Sequence, residues 1–424
     1  LRPNLTFHDG TPLDAAAYKT SLEMVLRADH PLHVDTYIPW EDRFGGTLAV
    51  DVVDPLTLTL TLSQPAVNLD YELAGLNFMA VSPAVAEADP RNWGQNPVGA
   101  GSGPFMFEEL VPDQTISYTR FDNYWEEGKP YLDRLIVQTL PEFGSRLLAL
   151  SAGDIHVMPV QGGEIQEAQA DPNVQIITGP PAHVHFLLFD HADPVVGTKG
   201  VRQAISQAID RASLVAELLP TSVVADNLAV MPGMEGRRDD LTWYPYDPEG
   251  ARQLLAEAGF PDGIDVTLTY SRTFPLPDTT FLAQAIQAQL AEAGVRMQLV
   301  EVDTGALFQA VYPDVVHEDF AYQMALAAIG SRGDTQRSVF NWTYLSNYAG
   351  LNPAYVDLVS AASAEPDEAA RFELWRTAQQ MLRDDVAGVP IDYEATTLAT
   401  RKEVQGLKAP FSVFPIYYKD VWLA

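Results

Sequence analysis

The sequence predicts an α/β protein of more than one lobe, in which mixed sheets are flanked by helices. Helix-like and strand-like segments alternate from about residue 247 to 330, the pattern of a sheet with helical crossovers. The 424 residues with 47% hydrophobic content exceed one typical domain and can bury large cores. No apolar run reaches the ~18 residues that span a bilayer, since the stretch from Val201 to Leu219 is interrupted by Arg, Gln and Asp.

From the N-terminus, Thr6 to Thr11 reads as strand then turn, with Asp9-Gly10 as the turn signal. Asp14 caps a helix whose apolar face is Leu22, Met24, Val25 and Leu26. Asp54-Pro55 turns into a strand over Leu56 to Leu62, where Leu and Thr alternate with the period of a half-buried strand. A Gly-rich loop from Asn96 leads into an antiparallel pair, Phe105 to Phe107 and Thr115 to Thr119. A strand over Leu132 to Leu140 and a short helix over Ser145 to Ser151 follow. His183 to Phe189 is strand-like, and Val201 to Leu219 reads as one amphipathic helix.

Asp247-Pro248-Glu249 supplies a capping acid, a proline at the first helical position and an acid in the first turn, and Gly259 ends that helix. Ile264 to Tyr270 is a strand, Phe281 to Ala293 a helix closed by Gly294, and Val295 to Val302 a strand. Ala369 to Leu382 is the last long helix, and short strand-like pieces close the chain. There is no internal repeat and no low-complexity linker.

Charge narrows the partners. Fifty-seven acidic against 26 basic residues leave a formal charge of −31, and only six of the basic residues are Lys. Such a surface repels nucleic acid and anionic membranes and suits a saline setting outside the cytoplasm. The absence of cysteine excludes disulfide scaffolds, cysteine nucleophiles and thiolate metal sites. Leu1 opens directly into strand-like sequence, so the expectation is that any signal peptide has been removed.

Motifs for chemistry are sparse. Gly99-Ala100-Gly101-Ser102-Gly103 lacks the Gly-Lys-Ser/Thr ending of a nucleotide loop and leads into a strand, so it reads as a structural turn. His183-Val184-His185 puts two imidazoles on one strand face, a pattern that suits packing, ligand lining or, with Asp190 and His191 nearby, a metal. No Gly-x-Ser-x-Gly or His-Glu-x-x-His motif occurs. Glu108/Glu109 and Asp384/Asp385 are sequence neighbours and read as solvated faces. Phe340, Trp342, Tyr344 and Tyr348 form an aromatic cluster after Arg332 and Asp334. It reads as packing or as the wall of a pocket with charged anchors.

Five segments, in order, resemble the family-5 extracellular solute-binding proteins, which include oligopeptide-, dipeptide- and nickel-binding components of ABC importers. They are LRPNLTFHDGTPLDA, NPVGAGSGPFMFEEL, RFDNYWEEGKPYLDRLIVQTLPEFGSRLLALSAGDIHVM, VRQAISQAIDRASLV and YDPEGARQLLAEAGFPDG. The resemblance implies an α/β bilobal clamp, with two mixed-sheet lobes joined by hinge strands, plus an extra domain. By that comparison residues 1–140 form the extra domain, 141–232 the first lobe and 233–405 the second lobe, and 406–424 return to the first lobe. Members carry several tens of residues before this opening, including a first-lobe strand. That N-terminal part of the usual fold is absent here, through truncation or through a first lobe that lacks the strand.

The implied function is an extracytoplasmic receptor, periplasmic or else extracellular and membrane-associated, that closes on a small solute and delivers it to ABC permease subunits. It would act as a monomer, without cofactor or catalysis. The competing reading is a hydrolase or other enzyme on a multi-lobed scaffold. Peptide-binding members place an Asp after Gly-Trp in the second lobe. Here the matching stretch is Ala327-Ala328-Ile329-Gly330-Ser331-Arg332-Gly333-Asp334, with Ser331 at the Asp position and Arg332 bringing positive charge. Asn347 falls where nickel-binding members carry a His. The expected ligand is a peptide, a peptide-like compound or another anionic compound. Its expected lining is Arg332, Asp334, Trp342, Tyr344, Asn347 and His185, with Arg332 pairing an anionic group.

Overall fold

The computed structural model describes residues 1–33, 47–90, 92–219, 221–274, 279–311, 322–330, 334–343, 345, 348–409 and 416–424. Strands β1 (Thr47–Asp54) and β2 (Thr57–Leu62) form an antiparallel ribbon. Leu58, Leu60 and Leu62 line one face of the ribbon and pack with Leu22 of α1 (Ala15–Leu26) and with Leu69 and Leu73 of α2 (Leu69–Leu73). This small core belongs to the N-terminal part alone. The strand expected over Thr6 to Thr11 reduces to a single bridge between Thr6 and Pro12, while the turn stands, with Gly10 at φ +84°. Asp14 caps α1 by accepting from the Ala17 amide at 2.9 Å.

The Gly-rich loop is a structural turn. Its Gly101 and Gly99 carbonyls accept from the His8 and Asp9 amides at 2.8 and 3.2 Å, and Gly99 has a φ of +82°. It leads into a three-stranded antiparallel sheet of β3 (Phe105–Val111), β4 (Thr115–Arg120) and β5 (Arg134–Gln138).

Among the described residues the main sheet has seven strands. They run β10 (Val295–Val302), β9 (Ile264–Ser271), β11 (Met324–Gly330), β7 (Val174–Phe189), β12 (Gly388–Arg401) and β6 (Val157–Pro159), and β8 (Ser222–Val224) also pairs with β12. Parallel pairing of β9 with β10 through α8 (Thr279–Glu292) follows the alternation expected from 247 to 330. Before it, Asp247 caps α7 (Pro248–Glu257) by accepting from the Gly250 amide at 2.9 Å.

Two strands organise the molecule. The sequence pattern suggests a strand from His183 to Phe189 and short closing pieces, but β7 has 16 residues and β12 has 14. They pair antiparallel along nearly their whole length. The C-terminal half of β7, with a continuous buried run from Val184 to Phe189, also carries β11 and packs in the large core. Its N-terminal half pairs with β12 beside a second core of Leu150, Met158, Val160, Ala168, Val174 and Ala399. Leu398, Val404, Leu407 and Val421 form another core close by, against which Leu132 packs. The two strands thus run through separate cores, and their register shifts between them, at Glu394/Ala395 and Ala395/Thr397. Gly179-Pro180-Pro181 lies at this break, where proline's missing N–H cannot serve a regular ladder.

The stretch from Val201 to Leu219 is not one helix. It divides into α5 (Lys199–Gln207) and α6 (Arg211–Leu218), because Asp210 turns its side chain back to accept from the Ser213 amide at 3.1 Å. A helix α10 (Pro353–Ala364) precedes α11 (Glu368–Asp384). Asp385, expected on a solvated face, instead accepts from the Tyr348 hydroxyl at 2.9 Å and from Asn352 Nδ2 at 2.8 Å. Among the described residues no helix is long and apolar enough to cross a membrane.

Candidate ligand-binding site

The polar centre of the molecule lies on β7 and β12, beside the register break. His183 pairs with Glu394 and His185 with Asp392 across the two strands. A period of two puts His183 and His185 on one face, and their rings stack at 6.5 Å. His185 is fully buried, and its Nδ1 donates to the Asp392 carboxylate at 2.9 and 3.1 Å. Asp392 is equally inaccessible, so the two form a buried charge-assisted pair. His185 Nε2 faces Glu394 Oε2 at 3.6 Å, beyond hydrogen-bond reach. The cluster grades from closed at Asp392 to partly open at Glu394, whose side chain is 16% exposed.

The environment spreads these groups in proton affinity. Burial pushes His183 down to about 4, with His185 adding to the effect, so His183 is neutral at neutral pH. Burial also acts to lower His185, but the Asp392 carboxylate outweighs it and the net direction is up. Burial raises Glu394 against the opposing pull of His185. His183 Nδ1 and His185 Nε2 have no hydrogen-bond partner among the described residues.

This constellation suits hydrogen bonding and charge pairing. Neither imidazole touches a Ser or Thr hydroxyl among the described residues, so no nucleophile–base pair forms there. Nor do the described residues hold three His, Cys, Asp or Glu side chains placed to share a metal ion. His191 is turned away, with its Nε2 against the Ala387 carbonyl at 3.0 Å.

Of the side chains singled out from sequence, His185 stands at the heart of this cluster. Trp342 is fully buried, its ring 5.5 Å from that of Phe186, and its Nε1 lacks a hydrogen-bond partner among the described residues. Tyr348 packs in the same core, 5.1 Å from the Tyr355 ring. Asp334 is 6% exposed and caps α9 (Thr335–Phe340) by accepting from the Gln336 amide at 2.9 Å, while Asn68 Nδ2 donates to its other oxygen at 2.9 Å. Burial, with Glu72 adding, pushes Asp334 up to about 6. Arg332, Tyr344 and Asn347 lie outside the described residues. Their stretch leaves β11 at Gly330, which pairs with His183.

Asp392 and Glu394 escape sequence reasoning. Their signal was an acidic Asp-x-Glu alternation inside an apolar run, mirroring His-x-His on another strand. Only the pairing of β7 with β12 makes the two alternations one cluster.

Comparisons with known proteins agree with this architecture. The glutathione-binding protein GsiB of Escherichia coli (strain K12) is 25% identical over 416 residues, covering 96% of this chain and 79% of that protein. The ABC transporter-associated periplasmic binding protein DppA from Helicobacter pylori, solved with the peptide STSA, superposes with a TM-score of 0.85 at 22% identity, over 100% of this chain and 85% of that one. NikA from Staphylococcus aureus, solved with Ni(L-His)2, gives a TM-score of 0.79 at 22% identity, over 99% and 87%. These likenesses show the fold, a bilobal α/β binding protein, and the relatives are solute-binding proteins rather than enzymes. Residues 1–350 match the family described as bacterial extracellular solute-binding proteins, family 5 Middle, and the chain therefore belongs to the family-5 bacterial extracellular solute-binding proteins.

Proposed function

We propose that this chain is a periplasmic, monomeric receptor that closes on a peptide or peptide-like anionic solute and hands it unchanged to the permease of an ABC importer. The observation that carries the reading is the pair β7 and β12. Two long strands run through separate cores, with a register break and a Gly-Pro-Pro between them, which suits strands that link two lobes. We take 1–140 as an extra domain and 406–424 as a return to the first lobe, and place the crossings between the two lobes inside β7 and β12, since Val184 to Met231 share one core with Met234 to Tyr393. A ligand that touches both lobes only when they meet draws the population to the closed form.

In this reading Arg332 pairs an anionic group of the solute, and Tyr344 and Asn347 flank it. His185, held by Asp392, braces the hinge cluster from within, and the buried Trp342 backs the wall from the core behind. Asp334 acts from the end of the loop, anchoring α9. Two features support an anionic peptide-like solute: the loop carries Ser331 where peptide-binding members carry an Asp, with the cationic Arg332 beside it, and a 25%-identical relative is named for glutathione, a tripeptide with two carboxylates. Against a protein charge of −31, such a solute needs a local cation, which Arg332 supplies.

Calorimetric titration with glutathione and with short peptides tests this. Micromolar binding, about −8 kcal/mol, is expected for at least one. Arg332→Ala should weaken it about tenfold or more, the worth of a charge-assisted hydrogen bond. Unchanged affinity removes Arg332 from the site. Recovery of the bound compound intact separates a receptor from an enzyme, because product in place of solute would overturn the reading.

A further inference from the structure

Apart from the hinge cluster, the N-terminal part meets the large core through buried polar groups. Asn68 Nδ2 donates to Asp334 Oδ2 at 2.9 Å, across 266 residues of sequence. Arg337 Nη1 donates to Glu72 Oε2 at 2.6 Å, with both side chains under a tenth exposed. The Val67 amide donates to the Ser363 carbonyl at 3.1 Å. Asn68 is the N-cap residue of α2 and Glu72 its penultimate residue, and Leu69 and Leu73 of the same helix belong to the small N-terminal core. Asp334 and Arg337 belong to α9, whose Val339 lies in the large core. Each side is anchored in its own hydrophobic cluster, and the contact between them is ionic and hydrogen-bonded.

That chemistry suits a contact that forms and breaks. An apolar seam would leave greasy surface exposed on parting, whereas Glu72, Arg337, Asn68 and Asp334 are all well hydrated when apart. Once buried, each demands its partner, since a buried charge without one is strongly disfavoured. Such a contact discriminates sharply between docked and undocked arrangements. Its α9 side begins at Asp334, immediately after the segment that leaves β11 beside His183.

We propose that Glu72–Arg337 and Asn68–Asp334 form a latch, and that these four are positioning residues. Docking the N-terminal part onto α9 fixes the end of the solute loop and so sets the closed population. The proposal rests on the clamp reading for its consequence in binding, but the latch itself can be measured without any solute.

The chain has no cysteine, so nitroxides placed through Glu87→Cys and Glu368→Cys, both at exposed positions, report the separation between the N-terminal part and the large core by pulsed electron spin resonance. Solute-free wild type should show a short-distance population. Arg337→Met and the milder Glu72→Gln and Asn68→Ala should each shift it to longer distances, and Glu72→Arg combined with Arg337→Glu should restore it. Far-ultraviolet circular dichroism selects the folded variants, and the milder substitutions keep the test open if Arg337→Met does not fold. A wild type without the short population, or variants with the wild-type distribution, would overturn the latch. Failure to bind any solute would count against the receptor reading alone and leave the distance result intact.

Discussion

At the scale of single residues, the same buried environment moves proton affinities in opposite directions. Asp334 is raised from 3.8 to about 6, so the folded state holds its proton more tightly than the unfolded chain. Its ionised form carries a penalty above pH 6, and stability is recovered as pH falls from about 6 to 4, by at most about 3 kcal/mol. Among the described residues the groups acting on it are Asn68, Glu72 and the amides of α9. His183, lowered to about 4, works the other way: its contribution is complete above pH 6.5 and lost as pH falls towards 4. Chemical denaturation of wild type and Asp334→Asn from pH 7.5 to 4.5 separates the two. The variant should lack the gain on acidification, and superimposable profiles would refute the assignment. Arg202 shows a purely structural use of charge. Its guanidinium donates to the Asp385 and Val386 carbonyls at 2.7 and 2.9 Å, closing the C-terminal end of α11. It lies in the Val-Arg-Gln-Ala stretch that helped to mark the family, and its burial pulls it down to about 10.

At the scale of elements, caps decide boundaries that periodicity alone misses. The apolar pattern from Val201 to Leu219 runs on through Asp210, yet two helices form, because the Asp210 side chain competes for the backbone and the Gln289 side chain accepts from its amide at 2.9 Å. Asp210→Ala should cost about 1 kcal/mol, the usual worth of an N-cap. Urea unfolding would show it as a lower midpoint at unchanged slope, and an unchanged midpoint would mean that packing rather than the cap separates α5 from α6. By contrast, the helix after Asp247 and strands β9 and β10 follow their sequence signals closely. Each carries its own punctuation: Asp247-Pro248, then Gly259 at φ +97°, then Gly294 at φ +87°. β12 is the opposite case. Interrupted by Pro390, Asp392 and Glu394, it reads locally as fragments, and only β7 on one edge with β8 and β6 on the other make it a single strand.

At the scale of the molecule, the charge of −31 acts against compactness. Raising salt from 0.1 to 1 M shortens the Debye length from about 10 to about 3 Å. The melting temperature should therefore rise with sodium chloride, and a flat or falling trend would show that self-repulsion is not limiting. The exposed pairs, such as Arg296 with Asp265 at 2.8 Å, weaken under the same screening, so the sign of the net change decides which effect dominates. The latch stands apart from both, since Glu72 and Arg337 are shielded from salt while docked.

By itself the sequence determined the fold class, the helices and strands from about residue 247 to 302, the last long helix, and the family. Those follow from local capping, period and turn chemistry, which need only neighbours in the chain. It also brought His185 forward, because two histidines at a spacing of two must share a strand face. Tertiary structure alone decided what that face meets. Asp392 and Glu394 lie more than two hundred residues from the histidines and come beside them only through the pairing of β7 with β12. In the same way Asp334, suggested as a lining residue from its place in a loop, is claimed by Asn68 from the far end of the chain. A buried polar atom must find a partner wherever the fold brings one, and no local pattern records which partner that will be.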